Sequence, residues 1–587
     1  MESFPAETGP EAPSLAEDPA LGLSRRQKLE ILGAVLLGLF LVALDQTIVG
    51  TALPRIVTDL GGNDLYTWVV TIYLLTSTIT VPFYGKLSDL YGRRPMLMIG
   101  ITLFLVGSVL SGLSGTMWQL ILFRGIQGLG AGALFPIALA VIGDLFTPAE
   151  RGKYQGLFGA VFGISFLIGP GLGGFLTDNV GWHWIFFVNI PVGIVSLAVI
   201  WKLLPTIKRS GASRNLDYLG ALVFTVAIGF LLVGLTNKQA GDWSDFVVGG
   251  FIAIGLLGSA LFVLVESRAK EPIVPLDLWR NRTYVASVLS TFFVSFGFFG
   301  AIIFLPRWFQ VVRGESAMSS GYLIFPMLIG LIGSSIVAGA LVSRTGRYKA
   351  IVIAGLVTMT TGIALMTQLR ADTSYPALFA WMFVAGLGIG PTLSVFTIIV
   401  QNAVPFAKLG VATSNLTFFR QVGGSVGLAI AGTWFGQALV NEIPGQTDPV
   451  FDAMAAGAPE VARPQIELLQ AGFNQALASG QGVNLNDQTG VGQSFGEAIL
   501  GFVPREVQVF IQPFVPQFDG AFGNAMSLAI AQTFWLGVAA TVAAVIAALA
   551  MRELPLRTTF GPRHAEAPAR DGDDDAEPTH EVPAAAL

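Results

Sequence analysis

The sequence predicts an all-α integral membrane protein with fourteen transmembrane helices in groups of six, two and six and with both termini cytoplasmic. Three observations carry this. Of the 587 residues, 53% are hydrophobic and 12% charged, with a mean hydropathy of +0.67, a balance foreign to soluble multidomain chains. A bilayer core of roughly 30 Å takes about 20 apolar residues in helix. Fourteen such segments begin near Leu29, Tyr66, Pro95, Met117, Tyr154, Trp184, Leu216, Asp245, Thr283, Ser319, Lys349, Tyr375, Val411 and Met526. No segment alternates polar and apolar residues over strand lengths, so helices, which satisfy their own backbone groups, are the expected spanning elements. The third observation is a repeat: Gly85-Lys-Leu-Ser-Asp-Leu-Tyr-Gly-Arg-Arg-Pro95 returns, eroded, as Gly339-Ala-Leu-Val-Ser-Arg-Thr-Gly-Arg347. Gly128-Leu-Gly-Ala-Gly132 returns as Gly386-Leu-Gly-Ile-Gly390 at nearly the same offset. Two six-span halves related by duplication, with an inserted pair between them, follow from these offsets.

Along the chain, residues 1–28 are acidic and Pro-rich with no basic run ahead of a short apolar core, and read as a disordered cytoplasmic tail rather than a signal peptide. Residues 29–205 form the expected N-terminal six-helix bundle. Its first span holds Asp45, the one carboxylate placed deep in a span, where a charge costs on the order of 3 kcal/mol or more. Arg124, in the fourth span, falls at the same expected depth and pairs with Asp45 if the two spans are neighbours; Gln46, Thr47 and Gln127 share the layer. Burial disfavours the carboxylate and a guanidinium favours it, so such a site can switch protonation when a helix moves; the alternative is a static ion pair. The turn between the second and third spans supplies Gly85, Asp89, Gly92, Arg93 and Arg94, while the second copy has Ser343 in place of the acid. Gly169, Pro170, Gly173 and Gly174 make the fifth span rich in helix-weakening residues, which serves close packing and bending in a membrane. His183 between Trp182 and Trp184 fits an aromatic belt at a membrane edge.

Residues 206–270 are the inserted pair with its flanking loop, and 271–440 the first five helices of the C-terminal bundle. The first of these is rich in Phe, from Phe292 to Phe304, and a few of these rings are candidates for an apolar cavity wall. Arg420 and Gln421 lie in the span that starts near Val411; no acid matches Arg420 in depth, so it either accepts an anionic substrate group or meets a helix C-terminus. Residues 441–525 form an unusually long outer loop. Ile466, Leu469, Phe473 and Leu477 suit an amphipathic helix, as do Phe495, Ile499 and Phe502, either resting on the membrane surface or extending the flanking spans. Residues 526–552 are the last span and 553–587 a disordered tail with an acidic run from Asp571 to Glu577. With the N-terminus inside, the clusters Arg25/Arg26/Lys28, Arg93/Arg94, Lys208/Arg209/Arg214 and Arg280/Arg282 all fall on the cytoplasmic side, as the positive-inside rule asks.

There is no cysteine, so neither a disulfide nor a thiolate metal site, and no metal-ligand spacing occurs. No Gly-x4-Gly-Lys-Ser/Thr loop is present and the Gly-x-Gly runs lie inside spans, so neither ATP hydrolysis nor dinucleotide chemistry is expected, and the chain does not read as an enzyme.

These residues resemble the major facilitator superfamily, and within it the fourteen-span drug:proton antiporters. Gly85 to Arg94 is similar to the superfamily's loop between its second and third spans, Arg124-Gly-Ile-Gln-Gly-Leu-Gly130 to its fourth-span motif, and Ser165-Phe-Leu-Ile-Gly-Pro-Gly-Leu-Gly-Gly174 to the fifth-span antiporter motif, with Ser165 where glycine is usual. The pattern around Asp45 and Trp182-His-Trp-Ile-Phe-Phe-Val-Asn-Ile-Pro191 look like those of fourteen-span exporters, with Gly50-Thr51 as a departure. The resemblance implies a major facilitator fold, alternating access driven by inward proton movement with no cofactor, and export of an amphiphilic compound across a bacterial plasma or inner membrane. It also implies a cytoplasmic lock of Asp89 and Arg93, with Arg94 in support. With Asp45 the only deep acid, neutral, zwitterionic or lipid-like substrates are expected over dications. The chain reads as a monomer without nucleic-acid partners, and 441–525 is where a periplasmic partner would bind. Two alternatives remain at this stage: an uptake symporter for an organic anion, with Arg420 as the anion partner, and a membrane scaffold acting through the outer loop.

Overall fold

The computed structural model describes residues 22–61, 65–205, 217–238, 241–458, 463–479, 495–501 and 511–556, with the single residues 460 and 508. The Lys208/Arg209/Arg214 cluster, Phe502, the acidic run 571–577 and most of both expected tails lie outside these residues. Among the described residues every regular element is helical.

The N-terminal half consists of α1 (Arg25–Leu60), α2 (Tyr66–Tyr91), α3 (Arg93–Gly112), α4 (Met117–Leu145), α5 (Pro148–Asn179) and α6 (Trp184–Leu203, interrupted at Val188). The inserted pair is α7 (Tyr218–Asn237) and α8 (Phe246–Glu266, opening with a π-helical turn). The C-terminal half comprises α9 (Arg282–Arg313), α10 (Phe325–Thr345, preceded by the short helix Ala317–Tyr322), α11 (Lys349–Met366), α12 (Tyr375–Ala403), α13 (Leu409–Gly457), α14 (Arg463–Ser479), α15 (Phe495–Gly501) and α16 (Val515–Leu549). Thirteen of these elements are long and apolar enough to cross a bilayer. The exception among the expected spans is α13, whose inner half is polar. It turns Thr413, Ser414, Asn415 and Thr417 into the protein and packs between α9 and α16, so its polar residues avoid lipid.

The two halves repeat the same contacts. In the first, α1 packs on α5 and α6, α4 on α2 and α3, and α3 on α6; in the second, α9 packs on α13 and α16, α12 on α10 and α11, and α11 on α16. The halves meet along two seams, α2 with α13 and α5 with α10. Both seams close on glycine. A Cβ on Gly85 would lie 1.9 Å from Ser414 Oγ and 3.0 Å from the Gly410 carbonyl, and one on Gly339 would lie 2.0 Å from the Gly152 carbonyl. The repeat therefore keeps glycine at positions 85 and 339 because a second helix occupies the space of a side chain. It keeps glycine at 92 and 346 for another reason: these end α2 and α10 at φ 98° and 69°, a region other residues enter at a cost. The inserted pair lies outside both bundles, with Phe224, Ile228 and Phe262 packed against Val81 of α2 and Phe418 and Val422 of α13.

Two boundaries differ from the expected ones, and one decides between expected alternatives. The chain enters α1 at Arg25, because Ser24 and Gln27 form a capping box that extends the helix beyond its apolar stretch. The outer segment 441–525 takes the expected alternative in which the flanking spans are extended: α13 runs through Pro444 and Pro449 to Gly457 and α16 starts at Val515. Seventeen residues of α13 past position 440 rise about 25 Å at 1.5 Å per residue. Against these extended ends pack Ile466 and Leu477 of α14 and Phe495 and Ile499 of α15, with Phe495 stacked on Phe522 at 4.4 Å. Finally, the tail leaves α16 as a strap. The amides of Tyr348 and Lys349, at the α11 N-terminus, donate to Glu553 Oε1, and Asn402 Nδ2 donates to the carbonyls of Leu554 and Pro555.

Candidate functional site

Four groups of side chains carry the chemistry, and the first is the intramembrane ion pair. Asp45 is fully buried, and Arg124 Nη1 donates to its Oδ2 at 2.5 Å, so the depth match between α1 and α4 becomes a direct contact. Gln127, one turn along α4, donates to Asp45 Oδ1 at 2.8 Å and accepts from Arg124 at 2.8 Å. Asn189 of α6 donates to Asp45 Oδ1 at 3.5 Å and to Ser108 Oγ at 3.1 Å. The guanidinium lies 4.1 Å over the Tyr73 ring. Protein dipoles thus stand in for the hydration shell of both charges, which is what allows a carboxylate to persist in a sealed apolar layer. Gln46 reaches the cluster only at Tyr73, beside whose side chain it lies. It is exposed and makes no hydrogen bond to Asp45 or Arg124.

The second group closes the end rich in Lys and Arg. Arg93 Nη2 lies 2.7 Å from Asp89 Oδ1, while its Nε donates to Asp144 Oδ2 at 2.8 Å and its Nη1 to Ser88 Oγ at 2.6 Å. Asp89 also accepts from the amides of Gly410 at 3.2 Å and Val411 at 2.9 Å. These are free donors in the first turn of α13, where a carboxylate is favoured by unpaired N–H groups and the helix dipole. One carboxylate therefore joins the halves. Arg94 is half-buried at the start of α3. Between the halves, Gln155 Nε2 donates to Gln401 Oε1 at 3.1 Å, and Gln401 Nε2 donates to the Leu139 carbonyl at 3.0 Å.

The third group is the Gly/Pro run of α5. A Cβ on Gly169 would lie 2.0 Å from Thr47 Oγ1, and one on Gly173 would lie 2.2 Å from Thr51 Oγ1. The two glycines are sockets for threonines of α1, and Thr47 Oγ1 also donates to the Ser165 carbonyl at 3.2 Å. Pro170 faces Gly321 and Gly174 faces Met318, so the outer part of α5 touches the Ala317–Tyr322 helix of the other half.

Arg420 and Gln421 of α13 form the fourth group. The Arg420 guanidinium lies 5.5 Å from the centre of the Phe135 ring of α4 and has no ion pair or hydrogen bond to any described residue. Gln421 Oε1 is buried without a donor. Of the Phe-rich residues of α9, Phe292, Phe296 and Phe299 cover Gly423, Gly427 and Gly424 of α13, and Phe304 is buried in the C-terminal core, so most of these rings pack helices together. His183 is exposed and stacks on Trp182 at 3.8 Å.

Sequence reasoning missed Asp144, Asn189 and the Gln155/Gln401 bridge. Asp144 was open to discovery: it is an acid in the last turn of α4, 6% exposed, which its position near a loop disguised. Arg307 was also missed; it lies inside α9 with its guanidinium 5.0 Å from the Phe435 ring.

Duplicated six-helix halves, glycine-closed seams between them and a sealed ion pair in one half define a membrane transporter of the two-bundle type. Residues 35–428 match the profile of the Major Facilitator Superfamily. The Multidrug transporter protein MdtP of Bacillus subtilis (strain 168) is 40% identical over 78% of this chain and 85% of its own. The Tetracenomycin C resistance and export protein of Streptomyces glaucescens is 33% identical over 73% of this chain and 79% of its own. Among solved structures, an inward-facing bacterial homolog of the human lysosomal transporter Spinster superposes with a TM-score of 0.51 at 15% identity, covering 90% of this chain and 98% of that one. The proton:xylose symporter XylE does so with a TM-score of 0.51 at 16% identity, over 68% and 87%. The chain belongs to the major facilitator superfamily, and it is a membrane transporter with multidrug transporters among its relatives.

Proposed function

We propose that the protein is a proton antiporter that exports hydrophobic or amphiphilic small molecules from the cytoplasm or inner leaflet across a bacterial plasma membrane, with the proton gradient as its energy source and no cofactor. The observation that carries this reading is the position of Asp45 on α1, sealed against Arg124 two residues before Thr47, which sits in the Gly169 socket of α5. A proton arriving at Asp45 removes the charge that Arg124 pairs with and leaves a guanidinium uncompensated in an apolar layer, an imbalance of about 3–5 kcal/mol. Movement of α1 that relieves it displaces Thr47 and Thr51 from their sockets and so shifts α5. The inner end of α5 is the Gly152/Gly339 seam, so the shift reaches the closure between the halves. Release of the proton inside restores the pair and re-forms the closure, held by Asp89 at Gly410 and Val411.

The relatives named for multidrug transport and tetracenomycin export support the outward direction and the substrate class. The chain read as a monomer has each of these contacts within itself. Purified protein in vesicles, loaded with a hydrophobic dye and given an imposed pH gradient, tests the reading. Dye movement up its gradient, abolished by a protonophore, is expected. Movement indifferent to the pH gradient contradicts it.

A further inference from the structure

Three buried arginines of this protein are well supplied with acceptors. Arg93 has two carboxylates, Arg124 has Asp45 and Gln127, and Arg151 donates to the carbonyls of Gly143 and Phe146. Arg420 differs. It is only partly covered, it has no carboxylate, carbonyl or hydroxyl acceptor among the described residues, and its one contact is the face of Phe135 across the interface between halves. Of the two options open from sequence, an anionic substrate group or a helix C-terminus, the second is not realised among the described residues.

The residues around the guanidinium are aromatic. Phe135 is one corner of an aromatic cluster, in edge contacts with Phe158 at 5.9 Å and Phe162 at 5.8 Å. One turn beyond Arg420, Gly424 carries no side chain, and the partly exposed Phe299 ring of α9 lies over it. The next residue of α13, Gln421, holds a buried acceptor, Oε1, without a donor. A planar guanidinium takes a carboxylate, sulfonate or phosphate with two parallel bonds, and an aromatic face tolerates the cation while no anion is bound. The site is also distinct from the proton pair: Arg124 and Phe135 are eleven residues apart on α4, about 16 Å along the axis at 1.5 Å per residue.

We propose that Arg420, with Phe135, Phe299 and Gln421, forms a substrate subsite for an amphiphilic monoanion, the guanidinium binding the acidic head and the aromatic rings flanking the apolar body. The inference rests on the export reading in one respect, that the space between the halves is the substrate path. It makes the transported class amphiphilic acids rather than neutral drugs, and Gln421 adds a preference for a hydroxyl or N–H near the acid.

Equilibrium binding tests this without any gradient, so failure of proton coupling and failure of the subsite are separate results. The full chain in phosphatidylcholine nanodiscs is titrated with dansyl-labelled undecanoic acid and with the matching dansyl-labelled undecanol. In Arg420→Gln the acid probe is expected to bind about tenfold more weakly, the scale of one charge-assisted hydrogen bond, with the alcohol unchanged. Arg420→Lys, which keeps the charge but not the two parallel bonds, should bind the acid probe with an affinity between those of the wild type and Arg420→Gln. Repeating the titration with phosphatidylglycerol in the disc distinguishes sources: competition in the wild type that is lost in Arg420→Gln shows that a lipid headgroup also fills the subsite. Equal affinity for acid and alcohol in the wild type overturns the proposal. So does an Arg420→Gln variant that weakens both probes alike, because that is the mark of a packing role.

Discussion

Asp89→Asn separates closure of the cytoplasmic end from the local fold of the turn. Asp89 is bonded to Arg93 within its own half, but its bonds to the amides of Gly410 and Val411 are the ones that cross to the other half. Arg93 keeps Asp144 in the variant, so the turn between α2 and α3 should persist. An amide side chain has one acceptor oxygen and turns an N–H toward the second backbone donor. One charge-assisted bond, worth about 1.5–3 kcal/mol, is then lost, and the other falls to the strength of a neutral bond, about 1 kcal/mol less. The closed arrangement is thereby weakened by about 3 kcal/mol, roughly a hundredfold in its ratio to the open one. The native chain contains no cysteine, so spin labels can be placed without background. Labels at Tyr91→Cys and Ala407→Cys, beside the Asp89 contact on opposite halves, should give one short distance in the parent and a second, longer population in Asp89→Asn. Identical distance distributions in both would refute the assignment of Asp89 as the bond between halves.

Gly173→Ala places a methyl 2.2 Å from Thr51 Oγ1 and should cut transport while leaving the protein folded, at about 1–3 kcal/mol of strain. Adding Thr51→Ala should restore part of the activity; failure to do so argues against the socket. Glu553→Ala removes the acceptor for two N-terminal amides of α11 and should lower stability by about 1 kcal/mol, read as a fall in the thermal midpoint. At the outer surface, bonds from Ser319 and Tyr375 hold the Glu315 carboxyl below the usual carboxylate range. Because its folded value is depressed, the stabilisation is present at neutral pH, and above the unfolded value, and disappears as pH falls through the folded one. Amide exchange at Ser316–Tyr322 should therefore rise only in acid, and should already be raised at neutral pH in Glu315→Gln.

Much of this arrangement was legible because membrane sequences expose their anomalies. An acid and a base at equal depth stand out against an apolar background, and Asp45 and Arg124 do meet. The duplicated glycines stand out because each answers a local demand, a crossing helix at 85 and 339 and a positive φ at 92 and 346. What escaped was polar chemistry that looks ordinary in sequence. Asp144 sits in the last turn of a span and resembles a loop acid until Arg93 is found beside it. Asn189 falls just after the break in α6, where an asparagine could equally cap a turn. Gln401 bridges α4 and α5, contacts 262 and 246 residues away that no periodicity reveals. The sequence left open whether the outer segment extends the flanking spans, since Pro444 and Pro449 usually end helices in water; here α13 continues past both, with its Phe451 packed on Phe518 of α16.

Proton coupling through Asp45 is the central claim, and two transport modes of Asp45→Asn test it together. The amide mimics the protonated carboxyl, so a coupling residue and a structural one fail differently. Vesicles containing the variant should still exchange labelled for unlabelled substrate at equilibrium, since that mode needs no net proton movement, but should show no uphill export under an imposed pH gradient. Uphill export at the wild-type rate would contradict the account.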